Sequence, residues 1–226
     1  MLKHKGEKTM IMNRPVSLAD QIYERLENDI YSGVYKRGDI ITEPAICELL
    51  GVSRTPVHEA FTRLRYDHIV EDSSKGAVVL GVTAEDAAII YAIRKSVECM
   101  AAAACAENID DEGITQLSEI IDLQVFYADK GNSEKVRECD SNFHLCIYKY
   151  SGSAIYYDVL EPLHKKLQKY RELSVSVGSR ASASVQEHVR ILDAIKAHDK
   201  KAAFDAMLDH ITKAEEHIKE INKEDE

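Results

Sequence analysis

No stretch of this chain is apolar for long. Among its 226 residues the longest apolar runs are Ala87 to Ile93 and Cys99 to Ala106. Both fall well short of the ~20 residues a helix needs to cross a bilayer, so no membrane partner is expected. The first residues lack the apolar core of a signal peptide, which makes the cytoplasm the expected address. Cysteine is also sparse: Cys47, Cys99, Cys105, Cys139 and Cys146 form no CxxC pair, and their odd number speaks against a disulfide framework. They are expected as reduced, buried thiols. No repeat is long enough for a solenoid, and from Ala84 onward no alternating strand pattern occurs.

Excess positive charge is missing too. The formal net charge is −10, which at first sight excludes a nucleic-acid binder. The balance is uneven, however. Residues 1–81 hold 11 basic and 12 acidic side chains, and the remainder holds 18 and 27. The first third is nearly neutral, so any DNA-binding basic groups must be concentrated locally. The rest reads as a separate acidic domain that does not touch DNA. The length suits two modest domains, each able to bury a core.

The most informative stretch runs from Ile46 to Arg65 and reads as two short helices around a tight turn. Gly51 supplies the backbone freedom of the turn, Ser53 is placed to cap the second helix, and Pro56 falls in that helix's first turn. Val57, Phe61 and Leu64 make a buried stripe at helical spacing. The opposite face carries Arg54, Thr55, His58, Thr62 and Arg65. A short helix with one buried face and a rim of arginines and hydroxyls suits the major groove of double-stranded DNA.

The sequence "LLGVSRTPVHEAFTRLRYDHIV" resembles the winged helix-turn-helix of the GntR superfamily of bacterial transcription regulators. The resemblance runs from about Ile22 to Val79 and rests on Glu43, Leu49, Gly51 to Pro56, Glu59, Leu64 and Gly76. His58 departs from the family pattern, in which an arginine contacts DNA from that position. Pro44 departs as well, where the subfamily often has a second DNA-facing arginine.

Around this motif the chain reads as follows. Residues 1–14 are polar and aperiodic, a disordered arm or a vector-derived remnant rather than a minor-groove tail. Residues 15–81 form the winged helix-turn-helix. Ser17 to Asp20 make a capping box ahead of Ile22, Leu26 and Ile30, and Gly33 ends that first helix. Thr42-Glu43-Pro44 opens the next helix. Ile69-Val70 and Ala77 to Leu80 form a two-stranded wing, with Lys75 at its tip either reaching DNA phosphates or merely solvated. Residues 82–226 form an all-α domain, capped at its start by Thr83. Helices are predicted over about 84–107, 112–130, 133–150, 153–177, 182–197 and 200–221, and their short connections predict an antiparallel bundle. The fold class is therefore mainly α.

Asp140 and His144, at i and i+4, leave one helix face and can share a cation. His188 and His210 lie on two later helices. One carboxylate and three imidazoles suit a divalent transition metal such as Zn²⁺, Ni²⁺ or Mn²⁺; a surface or capping pair is the alternative. Cys139 and Cys146 point roughly 100–120° away on that helix and read as core thiols. His164, beside Lys165 and Lys166, reads as part of a charged face. His198 falls in a turn, and His217 stands two turns beyond His210.

The blocks "RKSVECMAAAACA", "DSNFHLCIYKYSG", "EHVRILDAI" and "AAFDAMLDHI" resemble the FCD effector domain, which follows the winged helix in the FadR-like branch of GntR regulators. In metal-binding members an Asp, a His four residues on, and one His from each of two later helices hold the cation. Asp140, His144, His188 and His210 match those positions, and zinc is the first expectation. Arg94 matches an arginine on the first effector helix. It can grip a carboxylate ligand or pair with Glu98 at i+4; Arg171 is a second candidate for the ligand role. The resemblance implies a non-enzymatic, homodimeric regulator whose operator affinity responds to a small organic acid bound over the metal. The alternatives are a metal-dependent hydrolase-like enzyme, a regulator sensing the metal itself, and a purely structural cation.

Overall fold

The computed structural model describes residues 16–168, 170 and 178–224. The expectations for residues 1–14 and for Arg171 lie outside the described residues. The chain divides into two compact units, one holding the residues up to Ile30 and Tyr35–Leu80, the other Tyr31–Val34 and the residues from Gly81 onward.

The first unit contains α1 (Leu18–Tyr31), β1 (Ile40–Ile41), α2 (Glu43–Leu50), α3 (Arg54–Tyr66), β2 (Val70–Ser73) and β3 (Gly76–Val79). The Ser17 hydroxyl accepts from the Asp20 amide at 3.0 Å, and the Asp20 carboxylate accepts from the Ser17 amide at 3.3 Å, closing the capping box that starts α1. Thr42 caps α2 through the Ala45 amide, and Gly51 ends it in the left-handed region at φ 65°, where a side chain would be strained. Ser53 corrects an expectation. It has the backbone of an N-cap, yet its side chain makes no cap bond. Pro56 occupies the third helical position, so the amide a cap serine usually engages has no hydrogen to give. Ile22, Leu26, Ile46, Val57, Phe61 and Leu64 are buried together as the core of this unit. Each removes an apolar side chain from water, worth roughly 1.5–3 kcal/mol.

The wing holds one strand more than the sequence predicts. The sheet order is β1-β3-β2, all antiparallel, with Ile40 opposite Val78 and Val70 opposite Val79. A two-residue strand is too short to show periodicity; it exists only through its partner β3. Gly76 is where the partner passes. A Cβ there would stand 2.8 Å from the Ile41 carbonyl oxygen, so only glycine fits.

The second unit is all helical: α4 (Ala84–Asn108), α5 (Asp111–Asp129), α6 (Ser133–Lys149), α7 (Ala154–Lys166), α8 (Gly178–Lys196) and α9 (Lys200–Glu224). Thr83 and Asp86 form the capping box that starts α4. α4 and α9 pack along each other, α5 packs on α6 and α8, and α8 also packs on α9. Between them Cys99, Ala102, Leu117, Phe143, Ile147, Ile191, Ile195, Met207 and Ile211 are buried. The predicted helix over 153–177 is described as one element only to Lys166, with Leu167 as its cap residue. Among the described residues no helix is long and apolar enough to cross a membrane.

Candidate functional site

Two sites follow from this fold, one in each unit. In the bundle, α6 carries Asp140 and His144, α8 carries His188 and α9 carries His210. One ligand atom from each of the four lies within 4.8 Å of the others. The imidazole centroids are 4.6–5.3 Å apart. All three histidines are at most 4% exposed, and Asp140 is 13% exposed by its side chain. Phe143 stacks on His188 at 4.6 Å and fixes that ring.

What surrounds the rings matters as much as their proximity. His144 Nδ1 lies 2.5 Å from Glu98 Oε1, His188 Nδ1 lies 2.8 Å from Gln124 Oε1, and His210 Nδ1 lies 2.8 Å from Glu187 Oε2. A carboxylate or amide oxygen accepts only, so each Nδ1 carries the hydrogen and each Nε2 is left as the electron-pair donor. His188 Nε2 is 3.5 Å from Asp140 Oδ1. Outer partners that set the tautomer and aim the other nitrogen are how proteins orient metal-ligating histidines. The donor set therefore fits a divalent transition metal.

Glu98 also accepts from the Tyr148 hydroxyl at 2.7 Å and from Arg94 Nε at 2.7 Å. Burial opposes its ionisation, but the Arg94 guanidinium and then His144 hold its carboxyl well below the usual range. Burial likewise works against the Arg94 charge, and Glu98 more than restores it. For His210, burial lowers the pKa despite the opposing bond to Glu187, which keeps the imidazole in the neutral form a metal requires.

Glu98, Tyr148, Gln124 and Glu187 were not among the residues the sequence singled out as ligands. His164 corrects an expectation outright. It is buried at 2% exposure with its ring 5.1 Å from His144. Its neighbour Lys165 is turned about 100° round the helix and is 41% exposed, so a charged neighbour in sequence says little about the burial of His164. His164 also lines a cavity of about 400 Å³ beside Arg137, Ser141 and Lys165. A second cavity, about 680 Å³, reaches Glu187 from the side of Arg190 and Lys213. His198 falls in a turn, with Nδ1 on the Ala106 carbonyl. Cys139 and Cys146 are buried; burial raises both thiols, that of Cys146 to about 11. Such thiols are inert.

In the first unit α3 exposes Arg54, Thr55, His58 and Thr62, and half-buries Arg65. Three of these meet at one carboxylate on α2. Glu43 Oε2 is 3.2 Å from Arg54 Nε, while Glu43 Oε1 is 2.8 Å from His58 Nδ1 and 3.8 Å from Arg65 Nη2. Burial raises the Glu43 pKa, but the bonds from His58 and Arg54 bring it below its ordinary value. Arg65 also donates to Asp72 on β2 at 2.6 Å, which ties α3 to the wing. The Thr62 hydroxyl donates to the His58 carbonyl. Lys75 stands exposed in the β2–β3 turn.

A winged helix with arginines on α3, in one chain with a helical bundle that holds a buried polar cluster, defines a two-part regulator of transcription. The chain belongs to the GntR family of bacterial regulators, in the branch that carries an FCD domain. Residues 18–80 match the family described as bacterial regulatory proteins, gntR family, and residues 89–213 match the FCD domain. The HTH-type transcriptional regulator YdhC of Bacillus subtilis is 27% identical, covering 94% of this chain and 96% of its own. The transcriptional repressor RspR of Escherichia coli is 24% identical, with 94% of each chain covered. The solved structure of E. coli McbR/YncC has the same fold, with a TM-score of 0.77 at 24% identity over 88% of this chain and 95% of that one.

Proposed function

We propose that this regulator binds double-stranded operator DNA as a homodimer and responds to a small organic acid bound over a divalent cation. Asp140, His144, His188 and His210 would hold the cation, zinc first among the candidates. The observation that carries this reading is the set of oxygen acceptors on the three Nδ1 atoms. Each of those bonds leaves an Nε2 lone pair free to coordinate, and one donor atom from each histidine and from Asp140 lies within 4.8 Å of the others.

A bound cation would supply positive charge and coordination sites for a carboxylate. Glu98, with Arg94 behind it, keeps His144 in place; Gln124 and Glu187 do the same for His188 and His210. Arg94 enters this reading through its pair with Glu98 rather than as a first contact of the effector. The same commitments disfavour a hydrolase, because Glu98 and Glu187 each hold a histidine and are not placed as a general base for water. Arg54, Thr55, His58 and Thr62 would face the major groove, and Lys75 the phosphates. Exposed Ile89, Ile93 and Met100 share one face of α4 and offer apolar surface to a second copy. Operator DNA gives the protein a cytoplasmic address.

Elemental analysis of the purified protein, followed by titration of metal-loaded and stripped samples with organic acids over operator DNA, tests this. An acid that shifts DNA affinity only in the loaded protein is the expected result. A response to metal alone points to a metal sensor, and no response to either leaves the cation structural.

A further inference from the structure

The Glu43 cluster carries a consequence for which base is read, given the proposal above that α3 is the reading helix. We propose that His58 reads DNA as a hydrogen-bond acceptor: Glu43 fixes its imidazole as the Nδ1–H tautomer, so that Nε2 accepts from the exocyclic amino group of an adenine or a cytosine.

Glu43 as a carboxylate offers acceptors only, and its Oε1 is 2.8 Å from His58 Nδ1. The hydrogen of a neutral imidazole is therefore on Nδ1, and Nε2 holds a lone pair. The ring is 61% exposed and sits one turn into α3, in the half of a recognition helix that meets base edges. Glu43 is no swinging surface group. It lies in the first turn of α2, its side chain is only 12% exposed, Arg54 pairs with its other oxygen at 3.2 Å, and Arg65 lies 3.8 Å from Oε1.

In the major groove adenine N6 and cytosine N4 present donors, whereas guanine and thymine present oxygen acceptors there. An arginine at this position donates, and guanine is its usual partner. Histidine held by Glu43 reverses the polarity of the contact. His58 would touch the base; Glu43 is a positioning residue that acts through it.

Two measurements on the full chain at pH 8, where an ordinary imidazole is neutral, test the idea. The first is selection from duplexes with randomised half-sites at fixed salt. The wild type is expected to favour adenine or cytosine at one position by about fivefold, the scale of one hydrogen bond. His58→Arg is expected to move that position to guanine. Glu43→Gln, whose amide oxygen is kept by the Arg54 donor so that its amino group faces Nδ1, is expected to erase most of the preference. The second is ¹⁵N NMR of the histidine-labelled protein, with the His58 signal assigned by its loss in His58→Arg. The expected spectrum has the proton on Nδ1 in the wild type and on Nε2 in Glu43→Gln. A proton on Nε2 in the wild type, or a wild-type preference for guanine or thymine at the position that His58→Arg alters, overturns the proposal and leaves α3 as the reader. If neither Arg54→Ala nor His58→Arg changes affinity or selection, α3 is not the reading helix and both ideas fall.

Discussion

His144 and His58 are held by the same chemistry in opposite surroundings. Each gives its Nδ1 hydrogen to a glutamate from another helix, at 2.5 Å from Glu98 and at 2.8 Å from Glu43. The His144–Glu98 pair is at most 1% exposed, while the His58 ring stands 61% in solvent. In the bundle neither partner can be replaced by water, so removing one strands the other in a medium of low dielectric. On α3 water and salt replace a lost partner at little cost. The buried pair is thus a component of the fold, and the exposed pair sets how a surface is read.

The largest effect is expected at Glu98. Glu98→Leu leaves the buried Arg94 without its counter-charge and deprives His144 and Tyr148 of their acceptor. Breaking a buried ion pair from one side costs about 3–5 kcal/mol, read by urea unfolding. The double variant Arg94→Leu/Glu98→Leu should recover part of that loss, since no lone charge remains. A cost below about 1 kcal/mol for Glu98→Leu would dissolve the contrast between the two regions.

Next comes the cation. His188→Ala and His210→Ala are each expected to lower bound metal from near one equivalent toward zero by elemental analysis. Chelation of the wild type should lower its melting temperature, because a ligand present at a hundred times its Kd stabilises by about 2.7 kcal/mol. His164→Ala is expected to lose stability, being buried beside His144, while retaining metal. His198→Asn, in a turn at φ 52° that asparagine tolerates, should retain metal as well. Equal metal in His188→Ala and the wild type breaks the site.

These sites differ in how far the sequence discloses them. Caps and turns are local, so Ser17–Asp20, Thr83 and Gly51 could be placed from a few neighbouring residues. Asp140 and His144 share a helix face by spacing alone. Glu98, Gln124 and Glu187 meet the histidines from other helices, and nothing local pairs them. Glu98 did leave a trace, as a lone acid within the otherwise apolar "VECMAAAACA", and an acid there must find a partner when the helix packs. His164 was misjudged by its neighbours in sequence. Leu160 and Leu167, four residues before and three after, are its neighbours in space and are both buried. Strand β1 exists only in its pairing. Pro56 took away one of the two amides that Ser53 could have capped, which the sequence displays to a reader who counts helix positions.

On the exposed side, Arg54→Ala is expected to weaken operator binding by roughly 1 kcal/mol or more, the scale of one good base or phosphate contact. Stability and metal content should stay unchanged, because this side chain is 80% exposed and its loss strands nothing. An unaltered operator affinity in a gel-shift titration at fixed salt removes α3 as the reader.

The smallest effect should be the coupling between positions 58 and 43. His58→Arg adds a cation to α3, and by charge alone it should tighten binding to any duplex. Glu43 is in reach of that position, however, and an arginine there can pair with it in the free protein. An exposed pair of this kind is worth about 0–1 kcal/mol, and DNA must compete with it. His58→Arg alone is therefore expected to raise non-specific affinity only a few-fold, with a smaller gain at the native operator, where the acceptor contact of Nε2 is lost. In Glu43→Gln/His58→Arg the competing carboxylate is gone. Non-specific affinity should then rise further, and the slope of log K against log salt should steepen by about 0.9 for one added phosphate contact. The cycle isolates the pair, with an expected coupling of about 0.5 kcal/mol. Strict additivity would mean that Glu43 does not restrain a cation at this position. A loss of affinity for every duplex would mean that the larger side chain obstructs the groove.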